Sequence, residues 1–122
     1  MRALSRTSQD LIAVVIGGTA GAMTRAEAGV VLSVRPGQWP WATFLVNIAG
    51  AFILGYVATR LHRQRPLLGT GFCGALTTFS TMQLELLTML DVGREGLAMA
   101  YAAVSVVLGL AAAVMGQRVG HR

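Results

Sequence analysis

The chain has no lysine, one cysteine and two histidines, and only 12% of its 122 residues carry charge. A lone Cys73 excludes an internal disulfide, and His62 and His121 stand too far apart for metal-ligand spacing. No Ser/His/Asp arrangement, phosphate-cradling glycine loop or pair of catalytic carboxylates can be read, so chemistry on a covalent bond is not expected. The net charge of +5 comes entirely from arginine, most of it in loops and tails. That placement is read as membrane topology, with no nucleic-acid partner.

What the chain does have is apolar residues, 54% of the total. They fall into four charge-poor stretches, residues 11–34, 39–59, 67–90 and 97–117. Each reaches the roughly 20 residues that a helix needs to cross a bilayer. The gaps carry turn residues, such as Arg35-Pro36-Gly37, so consecutive helices should run antiparallel. A soluble bundle would show a polar face every few residues, whereas residues 42–57 have only Thr43, Asn47 and Tyr56 as polar breaks. Arg2 and Arg6 before an apolar run imitate a signal peptide, but three similar spans follow and cleavage is not expected. The expectation is an all-α membrane protein, a single domain over residues 1–122 with four transmembrane helices.

Arg2, Arg6, Arg60, Arg63, Arg65, Arg118 and Arg122 share one side of this topology, against Arg35 and Arg94 on the other. Both termini should therefore be cytoplasmic, in the cell membrane. Four helices leave no lumen, so a transport function implies an oligomer. Gly17 and Gly21 form a GxxxG, and Gly50, Gly109 and Ala113 are further small residues for close contacts, between subunits or within one.

Polar groups at membrane depth are costly and mark function. Residues 69–83 hold three glycines followed by the hydroxyls Thr77, Thr78, Ser80 and Thr81, which predicts a helix broken near Gly74 to Thr78. Such breaks build ion sites; the alternative is a continuous helix whose hydroxyls bond back to the preceding turn. Thr43 and Asn47 share a helical face, and the Asn47 NH₂ group can donate to an anion or to another helix. Tyr101, Ser105 and Gly109 recur at four-residue intervals, for donors or for packing. Phe79 offers a positive ring edge, which Met82 lacks. Arg25, Glu27 and Glu85 lie toward span ends, open to roles at a pore mouth or a solvated edge.

In order, Gly17-Gly18-Thr19-Ala20-Gly21-Ala22-Met23-Thr24-Arg25, Thr43-Phe44-Leu45-Val46-Asn47-Ile48-Ala49-Gly50 and Gly71-Phe72-Cys73-Gly74-Ala75-Leu76-Thr77-Thr78-Phe79-Ser80-Thr81 resemble the GGxxGAxxR, TxxVNxxG and GFxGxxTTFST motifs of the Fluc/CrcB fluoride channels. The resemblance covers almost the whole chain. It implies a passive, fluoride-selective channel that relieves fluoride toxicity, built as an antiparallel dimer around a structural sodium ion. The backbone carbonyls of Gly74 and Thr77 would hold that ion. Fluoride pathways at the interface would be lined by Asn47, Phe79, Thr78, Ser80, Thr81, Tyr101 and Ser105, with Arg25 structural near the vestibule.

Fluoride holds its water tightly, and neutral donors with ring edges can replace that shell without trapping the ion. Met82 departs from the family, which usually has a second phenylalanine there. That departure and the arginine bias together suggest an oppositely oriented paralogue as second subunit, beside the homodimer that the family implies. Two other classes compete. A small multidrug-type proton-coupled transporter would use Glu27, and a scaffolding or non-conducting subunit would need none of the clustered polar residues.

Overall fold

The computed structural model describes residues 4–122, so Arg2 lies outside the described residues. Helix α1 spans Arg6–Val31 and α2 spans Trp41–Arg60. A short 3₁₀ turn, His62–Gln64, leads into a π-helix, Arg65–Cys73, which continues as the single turn α3, Gly74–Leu76. After a break come α4, Phe79–Asp91, and α5, Glu95–Gly120. No strand occurs among the described residues.

The ends follow local chemistry. Ser5 caps α1, its hydroxyl accepting from the Ser8 N–H at 3.2 Å. Between α1 and α2 the Gln38 N–H bonds the Arg35 carbonyl at 3.1 Å, a turn with Pro36 first and Gly37, at φ 83°, second. Gly93, at φ 78°, closes α4, with the Arg94 N–H reaching the Met89 carbonyl at 2.8 Å in a Schellman arrangement. The Arg94 guanidinium then bonds the Gly37 carbonyl at 3.2 Å and clasps the two loops at one end of the molecule.

Glycine decides how the helices meet. A Cβ on Gly17 would collide with the Leu67 carbonyl, and one on Gly21 with that of Phe72, so α1 lies directly on the π-helix. Gly55 and Gly116 do the same between α2 and α5, against the carbonyls of Ala113 and Phe52. The GxxxG of α1 is thus used within the chain. Gly109 meets nothing within 4 Å, and Gly50 faces the Thr77 methyl group. Toward the end clasped by Arg94, Phe44, Met82, Met89, Ala98 and Tyr101 form a core between α2, α4 and α5.

The outer surface is apolar. Leu11, Val15 and Ile16 on α1 and Val106, Val107 and Leu110 on α5 are all exposed, which water would penalise and lipid would not. By length and composition α2 and α5 are each able to cross a membrane. At 13 residues α4 rises only about 20 Å by itself. The helices extend past the expected spans at most ends, α1 beginning at Arg6 and α5 ending at Gly120, while α1 stops at Val31, short of residue 34.

Candidate functional site

The break expected near Gly74 to Thr78 falls at its far end. Gly74 stays helical, while Thr77 (φ −79°, ψ 148°) and Thr78 (φ −146°, ψ 119°) are extended. The glycines upstream serve a different purpose: Gly71 sits against the Val14 carbonyl of α1, where a side chain would not fit. Thr77 does bond back to the preceding turn, its hydroxyl reaching the Cys73 carbonyl at 2.9 Å. That bond does not carry the helix forward.

Asn47 holds the break open. Its Oδ1 accepts from the Thr78 N–H at 2.7 Å, and its Nδ2 donates to the Thr78 carbonyl at 3.1 Å. One carboxamide thereby satisfies both backbone groups of a residue that has left the helix, the condition for irregular backbone at membrane depth. The Thr78 N–H is consequently not available to the Gly74 carbonyl four residues back. Nδ2 retains a second hydrogen.

The two half-helices are secured separately. On one side the Arg25 Nε–H donates to the Ala75 carbonyl at 3.0 Å, placing a guanidinium at the carbonyl end of α3, where the helix dipole favours it. On the other, the Thr78 hydroxyl accepts from the Thr81 N–H at 3.2 Å and donates to the Thr81 hydroxyl at 3.0 Å, capping α4. Ser80 lies beside the same cap, 3.5 Å from the Thr78 hydroxyl.

One helix turn from Thr81, Glu85 is half-buried and doubly bonded. The Thr43 hydroxyl donates to Oε1 at 2.6 Å and the Tyr101 hydroxyl to Oε2 at 2.7 Å, which ties α2 and α5 to α4. Tyr101 is fully buried, its ring edge-on to Trp39 at 5.4 Å. Hydrogen bonds to a charged group contribute about 1.5–3 kcal/mol. Tyr101→Phe should lower stability by about that amount and lower the melting temperature in detergent, whereas an unchanged melt would show that the carboxylate finds another donor.

A cavity of about 410 Å³ gathers Arg25, Thr43, Thr78, Thr81 and Glu85 between α1, α2 and α4. Four of the expected site residues therefore share one space with Thr43, which pattern reading put on the Asn47 face without assigning it to the site. Other expected residues lie elsewhere. Phe79 is 67% exposed on the outside of the chain, while Met82, three residues on, is buried in the core beside Tyr101. The Ser105 hydroxyl is buried without a hydrogen-bond partner. Gly74 is exposed at the end of the π-helix. Glu27 is exposed and makes no hydrogen bond among the described residues, unlike a buried proton-coupling carboxylate. No cluster of three or more His, Cys, Asp or Glu suited to a metal occurs among the described residues.

Comparison with known proteins follows the same lines. Residues 12–117 match the family model described as CrcB-like protein, Camphor Resistance (CrcB). A "Fluoride-specific ion channel FluC 1" of Mycobacterium tuberculosis is 50% identical over 111 residues, covering 85% of this chain and 84% of the relative. One of the same name from Mycolicibacterium paratuberculosis is 47% identical over 121 residues, 93% and 92% of the two chains. A "Fluoride-specific ion channel FluC" of Deinococcus radiodurans is 44% identical over 115 residues, 88% and 91%.

Proposed function

The chain belongs to the CrcB family of membrane proteins, and from that membership we propose that it is a channel passing fluoride passively out of the cell, which relieves fluoride toxicity. The observation that carries the reading is half identity, over most of both chains, to proteins named as fluoride-specific channels. The break clamped by Asn47 supplies the physics. It puts polar groups at membrane depth with every bond of Thr78 accounted for, and leaves one Asn47 N–H for a passing anion. A conduit of this kind makes and breaks no covalent bond.

In this reading α1, α2, the π-helix continued through α4, and α5 are the four spans, and two subunits pair antiparallel. The exposed Phe79 suits a pathway at the seam between subunits, since its ring edge is available only from outside. Thr78, Ser80 and Thr81 supply hydroxyls along the start of α4. Tyr101 and Ser105 line the pathway only if it runs inside the subunit wall, where the Ser105 hydroxyl is without a partner.

The sodium ion that the family implies fits the donors present. The Gly74 carbonyl has lost its helical donor to Asn47, and the Thr77 carbonyl belongs to extended backbone, two hard oxygens per subunit suited to an alkali cation. When bound, the ion would supply positive charge that joins the two breaks. Arg25 meanwhile satisfies the next carbonyl, that of Ala75.

The arginine bias, with Arg6, Arg60, Arg63, Arg65, Arg118 and Arg122 at one end, favours a single orientation with cytoplasmic termini. It therefore favours pairing with an oppositely oriented paralogue, and a buried Met82 in place of an aromatic agrees with one modified pathway. Fluoride efflux from liposomes containing the purified chain alone tests both readings. Rapid efflux of fluoride over chloride, lost when sodium is replaced by a large organic cation, is the result for a self-sufficient channel. Efflux that appears only when a paralogue is co-reconstituted would establish the heterodimer, and none in either case would overturn the channel.

A further inference from the structure

The end of the molecule opposite the Arg94 clasp carries a second, larger cavity, about 590 Å³, between the start of α1 and the turn joining α2 to the π-helix. Arg6, Gln9, Asp10, His62, Arg63 and Pro66 line it. Three arginines in the described chain donate to backbone carbonyls: Arg25 to Ala75, Arg65 to Ala58 and Arg94 to Gly37. Arg6 and Arg63 make no such bond among the described residues, and both line the cavity. The Gln9 amide is engaged locally, donating to the Leu4 carbonyl at 3.2 Å. Asp10 is the single acid in the lining, so the cavity keeps a positive balance.

Where this cavity lies decides what it can take. One residue beyond Asp10 on α1 begins the exposed apolar run of Leu11, Ile12, Val15 and Ile16. A basic hollow thus opens at the foot of an apolar wall, the profile of an amphiphile with an anionic head. We propose that this cavity binds the phosphodiester headgroup of an anionic phospholipid, held by the guanidinium groups of Arg6 and Arg63, with the acyl chains along the Leu11–Val15 side of α1. Two guanidinium forks suit the oxygens of one phosphate. The same chemistry would attract free phosphate, but only a lipid also uses the apolar run. The inference rests on the chain being a membrane protein and not on its passing fluoride, so the two can fail independently.

The test is native mass spectrometry of the full chain in detergent, titrated with phosphatidylglycerol, with phosphatidylcholine, and with inorganic phosphate. Retention of phosphatidylglycerol over phosphatidylcholine is expected. Each basic residue near a membrane surface contributes about fivefold, so Arg6→Gln with Arg63→Gln should weaken phosphatidylglycerol binding by about 30-fold. Arg35→Gln, at the other end, should leave it unchanged. Melting curves certify the fold of each variant, and the single substitutions carry the same test should the pair not fold. Equal retention of the two lipids, equal binding by the variants, or displacement of the lipid by millimolar inorganic phosphate would each overturn the proposal.

Discussion

Replacing Asn47 with alanine should abolish fluoride efflux and destabilise the chain together. The substitution removes both bonds to Thr78, at 2.7 and 3.1 Å, and leaves a backbone N–H and a carbonyl without partners in a half-buried setting. Each such group costs about 1–3 kcal/mol. The backbone has a route of escape, since the freed Thr78 N–H can return to the Gly74 carbonyl and rebuild the helix through the break. That rearrangement withdraws Gly74 from any cation and unseats the cap on α4.

Asn47→Asp separates the two roles of the side chain. It keeps an acceptor for the Thr78 N–H but loses the donor and sets a negative charge beside both the Thr78 carbonyl and the anion path. Efflux should fall to the background of empty liposomes in both variants, with the melting temperature falling further in Asn47→Ala. Efflux at the parental rate in Asn47→Asp would remove Asn47 from the pathway and leave it a purely structural clamp.

How far the sequence reveals this arrangement differs from part to part. Apolar runs, Pro36-Gly37 and Gly93 mark the hairpins because turn and cap chemistry is local, and the helices begin and end within a few residues of those signals. The break is legible as a region but not as a position. Glycines 69, 71 and 74 suggested unwinding, yet Gly71 accommodates α1, and the chain departs from the helix where Asn47, 31 residues earlier, can take over the Thr78 bonds. Thr78 is itself an N-cap residue type, a helix-start signal that a reading for unwinding passes over. Glu85 was visible only as an ambiguous acid, since its partners Thr43 and Tyr101 lie 42 and 16 residues away on other helices. Gly55 carries no sequence signal of its own, and Gly116 begins a GxxxG with Gly120 that does not name its partner helix. The glycine seam between α2 and α5 is a property of the pair, not of either helix.

The two glycine contacts, α1 on the π-helix at Gly21 and α5 on α2 at Gly116, yield the sharpest contrast among substitutions of a single kind. Gly21→Ala and Gly116→Ala each add one methyl group where a carbonyl of the neighbouring helix, Phe72 or Phe52, already stands, and backbone cannot swing aside as a side chain can. Overpacking of this sort costs about 1–3 kcal/mol in an ordinary core. Here it forces two helices apart along their length and forfeits the close van der Waals contact that holds helices together in lipid, where no hydrophobic gain compensates. The expected result is loss of the monodisperse peak in size-exclusion chromatography, or a melting temperature lowered beyond that of Tyr101→Phe. Gly29→Ala and Gly96→Ala place the same methyl group in open space on α1 and α5. Alanine is the better helix former, by about 0.5–1 kcal/mol in a helix interior and by less near helix ends such as these, so those variants should be neutral or slightly more stable. Gly109 is equally open within the subunit. If Gly109→Ala nevertheless destabilises while Gly29→Ala does not, the missing neighbour is a second subunit lying against α5, whereas equal tolerance at all three positions would direct the subunit seam to another face.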